Sequence, residues 1–309
     1  MNFIVFPGQG SQKIGMGKKL SDDFTEAKQV FEEVNDALNF NLTRIMWEGT
    51  DKEISLTSNA QPALMACSIA TLRVLQKNTD KKISDLADYV CGHSLGEYTA
   101  MTAAEVFSLN QCANLLRLRG NAMQDAVPIG KGAMAALIGT NIETAKHITE
   151  KVNHYGICDI ANDNSDGQVV ISGDILAVEN AIKFAKDFGI KKAVILPVSA
   201  PFHCRLMKPA QIIMKEALNE LNFKVPVIPI IPNVSVSAEN NPDKLKKYLV
   251  DQVTQTVRWR ETMEFAERVS VKKIIELGSG KVLTGIAKRM IKNIVTINIE
   301  NTEDLKNFI

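Results

Sequence analysis

The pentapeptide GHSLG at positions 92–96 places a serine between two glycines in the pattern G-x-S-x-G. In this pattern a strand turns sharply into a helix, and the glycines leave room for the backbone to hold the serine in a strained conformation. The start of the helix favours the negative charge that develops on a reacting carbonyl oxygen. Since an apolar strand precedes the motif and a helical pattern follows it, the sequence predicts that Ser94 is a nucleophile. The alternative is an ordinary serine in a tight turn.

A serine hydroxyl is a poor nucleophile near neutral pH and needs a base. The chain has four histidines. His93 is adjacent to Ser94, so its side chain should leave the turn in another direction, and surface positions are favoured for His147 and His154. We predict that His203 is the base, because it lies in a loop between a strand and a helix, where α/β proteins build their sites. No acidic residue stands out by spacing as its orienting partner.

Two further features offer weaker signals. The segment FPGQGSQ at positions 6–12 resembles a dinucleotide-binding loop, but the third glycine of that motif should fall at Lys13. Such a turn can instead present a backbone N–H to an oxyanion, or be no more than a tight turn. Arg117 and Arg119 lie about 200° apart around a helix, so they cannot share a face. One of them can bind a carboxylate, although the pattern alone favours a solvated position for either.

These residues require an α/β framework to position them. Strands alternate with helices along the chain, which predicts a mostly parallel sheet with helices on both faces. Short apolar strands are expected at 3–6, 88–91, 227–231 and 273–276. A helix is expected from Pro62 to position 75, with the proline at its first position, where a missing N–H costs nothing.

The pattern changes between positions 128 and 197. Here the predicted order is β-α-β-β-α-β, which is typical of a ferredoxin-like arrangement. The corresponding segments are 132–138, 142–153, 157–161, 168–172, 175–188 and 193–197. We therefore expect a small subdomain at 128–197, inserted between the two parts of a catalytic core at 1–127 and 198–309.

The composition limits the possible partners. Hydrophobic residues make up 45% of the chain, charged residues 23%, and the net charge is +1, which favours neither nucleic acid nor a membrane surface. We see no signal peptide, no stretch long enough to span a membrane, and five cysteines without metal-ligand spacing. The expectation is a cytoplasmic protein without a bound metal.

Several short segments, spread from near the start of the chain to near its end and including the serine motif, carry recognisable motifs. They are FPGQGSQ (6–12), NAQPAL (59–64), GHSLGEY (92–98), LRG (118–120) with MQ (123–124), GQVVISG (167–173), PFH (201–203), VRW (257–259) and GKVLTG (280–285). In content and order they resemble the malonyl-CoA:acyl carrier protein transacylases of bacterial fatty acid synthesis. The sequence departs from that family at Ser279, where proline is common, and at 254–256.

The resemblance implies an α/β-hydrolase-like core with an inserted ferredoxin-like subdomain, and it assigns roles to individual residues. Ser94 would be the nucleophile and His203 its base, oriented by the backbone carbonyl of Gln252 in place of a carboxylate. The N–H groups of Gln9 and Leu95 would form the oxyanion hole. By the same resemblance, Arg119 would bind the free carboxylate of malonate, and Phe202 resembles the malonyl-preferring form of its motif.

The resemblance further implies transfer of a malonyl group from malonyl-CoA to the phosphopantetheine thiol of holo acyl carrier protein, through a malonyl-serine intermediate. No cofactor is implied, and we expect a monomer. Because acyl carrier proteins are acidic, we expect a basic patch at the mouth of the site, for which Lys281, Lys288, Arg289 and Lys292 are candidates. The alternatives are a serine hydrolase such as a thioesterase, and a carrier-binding module that has lost activity.

Overall fold

The computed structural model describes residues 1–308, which form eight strands and fifteen α-helices. The strands are β1 (Asn2–Phe6), β2 (Tyr89–Gly92), β3 (Gly132–Ile138), β4 (Cys158–Ser165), β5 (Gln168–Asp174), β6 (Lys192–Ile195), β7 (Lys273–Leu277) and β8 (Val295–Ile299). The helices are α1 (Lys18–Asp23), α2 (Thr25–Leu38), α3 (Leu42–Glu48), α4 (Asp51–Ser55), α5 (Thr57–Thr79), α6 (Ile83–Leu86), α7 (Leu95–Ala103), α8 (Leu109–Asp125), α9 (Ile142–Lys151), α10 (Ile175–Ala185), α11 (Lys208–Asn219), α12 (Pro242–Gln252), α13 (Trp259–Arg268), α14 (Val282–Met290) and α15 (Thr302–Phe308).

A parallel sheet forms the centre of the larger part of the chain. Its strand order is β2-β1-β7-β8, and every neighbouring pair is parallel. One of the two central strands, β1, is buried from Phe3 to Phe6, as expected for a strand covered on both faces. Because the strands are parallel, their carboxyl ends meet at one edge, and the segments after β1, β2 and β7 converge there.

An antiparallel sheet forms the smaller part. Its strand order in space is β4-β5-β3-β6. Along the chain, β3 and β4 flank α9 and β5 and β6 flank α10, which is the predicted β-α-β-β-α-β order. Apolar side chains between this sheet and its two helices form a separate core, with Leu137, Ile148, Ile171 and Val178 at its centre. The chain is thus a mixed α/β protein with one parallel and one antiparallel sheet.

The two sheets are joined through β4, which extends beyond its predicted end at position 161. Asp163 donates its backbone N–H to the carbonyl of Val257, and Val257 donates to the carbonyl of Ala161, both at 2.9 Å. In addition, the guanidinium of Arg260 lies 2.9 Å from the Asp163 carboxylate. This link holds the end of the smaller sheet beside the carboxyl edge of the larger one.

Two predictions about individual elements are wrong. Pro62 does not begin its helix but lies inside α5, which starts at Thr57. An interior proline costs about 3 kcal/mol, and here the burial of most of α5 between α2 and α8 outweighs that cost. The segment 227–231 is not a full strand. Pro229 inside it, and Pro226 and Pro232 on either side, lack the N–H groups of a ladder, so only Ile230 bridges to Val90 of β2.

No helix within residues 1–308 combines the length and the apolar character that crossing a membrane requires. The five cysteines are all buried and free.

Candidate functional site

The turn after β2 has the geometry that the G-x-S-x-G pattern predicts. Ser94 has φ 53° and ψ −110°, a positive-φ backbone outside the left-handed helical region that is strained for a serine. A Cβ at Gly92 would lie 2.0 Å from the carbonyl oxygen of Gly96, and a Cβ at Gly96 would lie 2.3 Å from that of Phe6. Only glycine fits at either position, so the two glycines let β2, β1 and α7 pack closely enough to hold Ser94 in this conformation.

Ser94 and His203 form a hydrogen-bonded pair. The Oγ of Ser94 lies 2.8 Å from Nε2 of His203, and Nδ1 of the same ring lies 2.8 Å from the backbone oxygen of Gln252. Since a carbonyl oxygen only accepts, Nδ1 carries the proton and Nε2 is free to accept one from Ser94. His203 also has a positive φ of 56°, which is strained for a residue with a side chain.

The imidazole of His203 is held in its neutral form. Burial lowers the pKa of His203 from its usual 6.5 to about 3, and the positive charge of Arg119 acts in the same direction. The hydrogen bond to the carbonyl of Gln252 opposes these effects. Near neutral pH the ring is therefore uncharged and can accept a proton, as a base must.

Arg119 is buried beside the serine, with 1% of its surface exposed. Its NH1 donates to Oε1 of Gln61 at 2.8 Å, while NH2 donates to Oε1 of Gln252 at 2.9 Å and to Oγ of Ser94 at 3.2 Å. All three acceptors are neutral oxygens, and Nε is buried without an acceptor in the described part of the chain. Burial lowers the pKa of Arg119, but an arginine keeps its charge. The guanidinium of Arg119 therefore faces the site as a buried cation that has no negatively charged hydrogen-bond partner within residues 1–308.

Sequence reasoning missed a residue that holds the elbow. Asn233 accepts the N–H of Ser94 at 2.9 Å through Oδ1 and donates from Nδ2 to the carbonyl of Gly92 at 2.8 Å. The interrupted strand at 227–231 delivers it there from beside β2. Alternation of prolines with apolar residues marked that segment, but nothing in the sequence marked Asn233 itself.

A second missed residue is Glu97, three positions after the serine. Its Oε2 accepts the backbone N–H of Asn233 at 2.9 Å and Nε2 of Gln252 at 2.7 Å. The glutamate itself was visible in the motif GHSLGEY, but its burial, which is rare for a carboxyl group, was not.

The predicted oxyanion hole consists of two N–H groups that follow adjacent strands. Leu95 is the first residue of α7, where an N–H has no partner within the helix. Gln9 follows β1, and the preceding Gly8 lies so near the carbonyl of His93 that a Cβ there would approach within 2.8 Å. Within residues 1–308 neither N–H is taken up by a protein acceptor, whereas that of Ser94 is bound to Asn233.

The structure separates the other predicted candidates from the serine. His93 points away, with Nε2 2.8 Å from Oδ1 of Asn164 in β4. His147 and His154 are exposed, as expected. Arg117 is half-buried and donates to Oδ1 of Asn59 at 2.7 Å. Pattern reasoning left open which of the two arginines faces the site, and the structure places Arg119 there.

Ser279, which stands where proline is common in the resembled family, makes a local contact. Its Oγ donates to the carbonyl of Ser11 at 2.7 Å, which ties the turn after β7 to the loop after β1. Phe202, beside the histidine, is buried.

The fold and the site together define a class: an α/β protein in which a serine–histidine pair and a buried arginine meet at the carboxyl edge of a parallel sheet. A family model described as the acyl transferase domain matches residues 3–304. The chain belongs to this family.

Individual relatives agree with the resemblance seen in the motifs, which is confirmed. The chain is 41% identical over 304 residues, 98% of its length and 94% of the relative's, to the malonyl CoA-acyl carrier protein transacylase of Bacillus subtilis (strain 168). It is 50% identical to the acyl-carrier-protein-S-malonyltransferase from Bartonella henselae, with a TM-score of 0.97 over 99% of this chain and 98% of that one. A third match, 39% identical with a TM-score of 0.95 and coverage of 99% and 98%, is a malonyl-transacylase in complex with its type II PKS acyl-carrier protein.

We predict that the imidazole of His203 stays neutral down to pH 5. Its folded pKa lies below the unfolded value, so the stability that it contributes is present above pH 6.5 and is lost as pH falls toward 3. An NMR titration of isotope-labelled histidines, with the resonance assigned by comparison with His203→Ala, measures this directly. Titration of that ring near pH 6.5 would contradict the prediction.

Proposed function

We propose that this chain moves a malonyl group from malonyl-CoA to the phosphopantetheine thiol of holo acyl carrier protein, and so supplies fatty acid synthesis. The observation that carries the proposal is the buried guanidinium of Arg119, 3.2 Å from Oγ of Ser94 and bonded only to neutral oxygens. An acyl group that ends in a carboxylate supplies the missing charge. The names of the relatives, one of them in complex with a carrier protein, point to the same donor and acceptor.

In the first half of the reaction, Oγ of Ser94 attacks the thioester carbon of malonyl-CoA while Nε2 of His203 accepts the hydroxyl proton. The N–H groups of Gln9 and Leu95 stabilise the oxyanion of the tetrahedral intermediate. When the C–S bond breaks, the proton on His203 passes to the sulfur and free coenzyme A leaves. The product is a malonyl ester of Ser94.

In the second half, the malonyl ester of Ser94 is the acyl donor and the thiol of the carrier protein is the acceptor. The thiol of the carrier protein loses its proton to His203 and attacks the ester carbon. The C–O bond to Ser94 breaks, and Oγ recovers the proton from the imidazole. These steps use only side chains and backbone N–H groups of the chain, and we propose that no cofactor takes part.

Selectivity for malonyl over acetyl groups follows from the burial of Arg119. A malonyl carboxylate pairs with the guanidinium, whereas an acetyl group leaves a buried charge without a partner, at a cost of about 1–3 kcal/mol or more. We propose that the buried ring of Phe202, next to His203, helps to enclose the malonyl group.

Replacement of Arg119 by alanine should therefore lower the rate of malonyl transfer much more than that of acetyl transfer. Loss of one partner of a buried charge pair costs about 2–5 kcal/mol, so we expect a fall of about 30- to 4,000-fold in kcat/KM for malonyl-CoA. Parallel assays with malonyl-CoA and acetyl-CoA measure the ratio. Arg117→Ala, two residues earlier on α8, is the matched control and should leave the ratio unchanged. Equal losses with both donors in Arg119→Ala would contradict the role.

We further propose that the parallel sheet is the centre of an α/β-hydrolase-like core at 1–127 and 198–309, and that 128–197 is a ferredoxin-like subdomain. The strand order β4-β5-β3-β6 and the helices α9 and α10 support the second assignment. We propose a cytoplasmic monomer, and the five free cysteines are consistent with a reducing compartment.

The basic residues considered for docking lie on α14 and directly before and after it. Lys281 and Lys288 are seven residues apart and so share one face of the helix, whereas Lys292 follows its last residue, Met290, and all three lysines are exposed. Because α14 begins after the carboxyl end of β7 and runs back along the sheet, they form a strip that leads away from the site instead of surrounding its mouth. We propose that this strip, with Arg289 beside it, meets an acidic face of the carrier protein.

Reversal of charge in Lys288→Glu/Arg289→Glu should raise KM for holo acyl carrier protein by about tenfold at low salt, because exposed charges steer association. The rate of acylation by malonyl-CoA should change by less than about twofold, since the pair is remote from the serine. Lys183→Glu/Lys186→Glu on the smaller subdomain is the control with the same change in net charge. If both double variants have the same KM for holo acyl carrier protein, the strip does not take part in docking.

A further inference from the structure

Glu97 is a buried carboxyl group to which the proposed chemistry gives no role. It is fully buried, and both donors to its Oε2 are neutral groups: the backbone N–H of Asn233 at 2.9 Å and Nε2 of Gln252 at 2.7 Å. Its second oxygen, Oε1, meets no donor among residues 1–308. Burial raises the pKa of Glu97 to about 7. A carboxyl group is costly to bury on such terms, so its position needs an explanation.

The carboxamide of Gln252 connects this group to the arginine. Its Nε2 donates to Glu97 at 2.7 Å and to the carbonyl of Ser94 at 3.0 Å, and its Oε1 accepts from NH2 of Arg119 at 2.9 Å. The opposite orientation of the amide would set two donors against each other at Arg119 and two acceptors against each other at Glu97. Because Oε2 of Glu97 already accepts the backbone N–H of Asn233, it acts as an acceptor and selects the orientation in which Nε2 of Gln252 faces it.

The orientation of Gln252 decides where the guanidinium points. Arg119 is held by two amide oxygens, Oε1 of Gln61 on NH1 and Oε1 of Gln252 on NH2. With both in place, Nε stays without a protein acceptor and NH2 lies against Ser94. If Gln252 were to flip, Arg119 would lose one of its two anchors.

We propose that Glu97 is a positioning residue for malonyl recognition: it fixes the carboxamide of Gln252, which in turn aligns Arg119 with the malonyl carboxylate. This inference rests on the proposed role of Arg119. It assigns Glu97 an effect on malonyl selectivity, separate from the reactivity of Ser94.

The test is Glu97→Gln, which keeps the shape but adds a donor and removes the charge, so that Gln252 can adopt either orientation. We expect KM for malonyl-CoA to rise about tenfold and the malonyl-to-acetyl ratio of kcat/KM to fall by a similar factor. Gln252→Met removes the connecting amide while keeping the carbonyl that orients His203, and it should lower the ratio in the same way if the first variant fails to fold.

Two controls separate positioning from general damage. Glu276→Gln changes another buried carboxyl group, which accepts from the N–H groups of Leu283 and Thr284 away from the serine, and the ratio should stay at the wild-type value. In an Arg119→Ala background, Glu97→Gln should produce no further fall in the ratio, because the group through which it acts is gone.

Every outcome of these transfer assays either supports or overturns the role of Glu97. A ratio that falls with Glu97→Gln only when Arg119 is present supports the inference. Equal losses for malonyl and acetyl donors, or a further fall in the Arg119→Ala background, overturn it. If Arg119→Ala lowers the ratio and Glu97→Gln does not, the inference fails while the proposed function stands. A wild-type ratio in Arg119→Ala overturns the proposed role of Arg119, and the inference with it.

Discussion

The strained, positive-φ backbone of Ser94 is the constraint on which the rest of the site depends. A serine keeps φ near 53° only because the surrounding packing fixes it, and that packing comes from Gly92 and Gly96, which allow contacts closer than any side chain would permit. The same turn aims Oγ at the histidine, leaves the N–H of Leu95 free at the start of α7, and sets the first turn of that helix against Gln252. If the turn were less tightly packed, the aim of Oγ, the free N–H of Leu95 and the contact of α7 with Gln252 would all be lost.

Gln252 couples the two halves of the site. Its backbone carbonyl orients His203, and its side chain anchors Arg119. Many serine enzymes orient the histidine with a carboxylate. Here a carboxylate in that place would lie near the guanidinium and compete with the carboxylate of the substrate. A neutral carbonyl fixes the tautomer of the imidazole without supplying that charge, so one residue prepares the base and keeps the cation available.

The sequence was sufficient for those parts of the fold and site that depend on local pattern. The elbow at Ser94, the order of elements in 128–197 and the choice of His203 all followed from periodicity, turn chemistry and elimination. Contacts between distant segments were not readable in this way. Pro62 lies within a helix because tertiary burial outweighs its local cost, and Asn233 reaches the elbow from an interrupted strand. The inward position of Arg119 was implied by resemblance alone, since spacing could not distinguish it from Arg117.

The central claim is that Ser94 carries the malonyl group between two thiols. Intact-protein mass spectrometry tests it most directly, on wild type and Ser94→Ala, first with malonyl-CoA and then with holo acyl carrier protein. The account predicts that wild type gains the mass of one malonyl group and releases it to the carrier protein, while the variant gains none. An adduct that is lost to water equally fast without carrier protein would indicate a hydrolase. An adduct on the variant, or none on wild type, would contradict the assignment of Ser94.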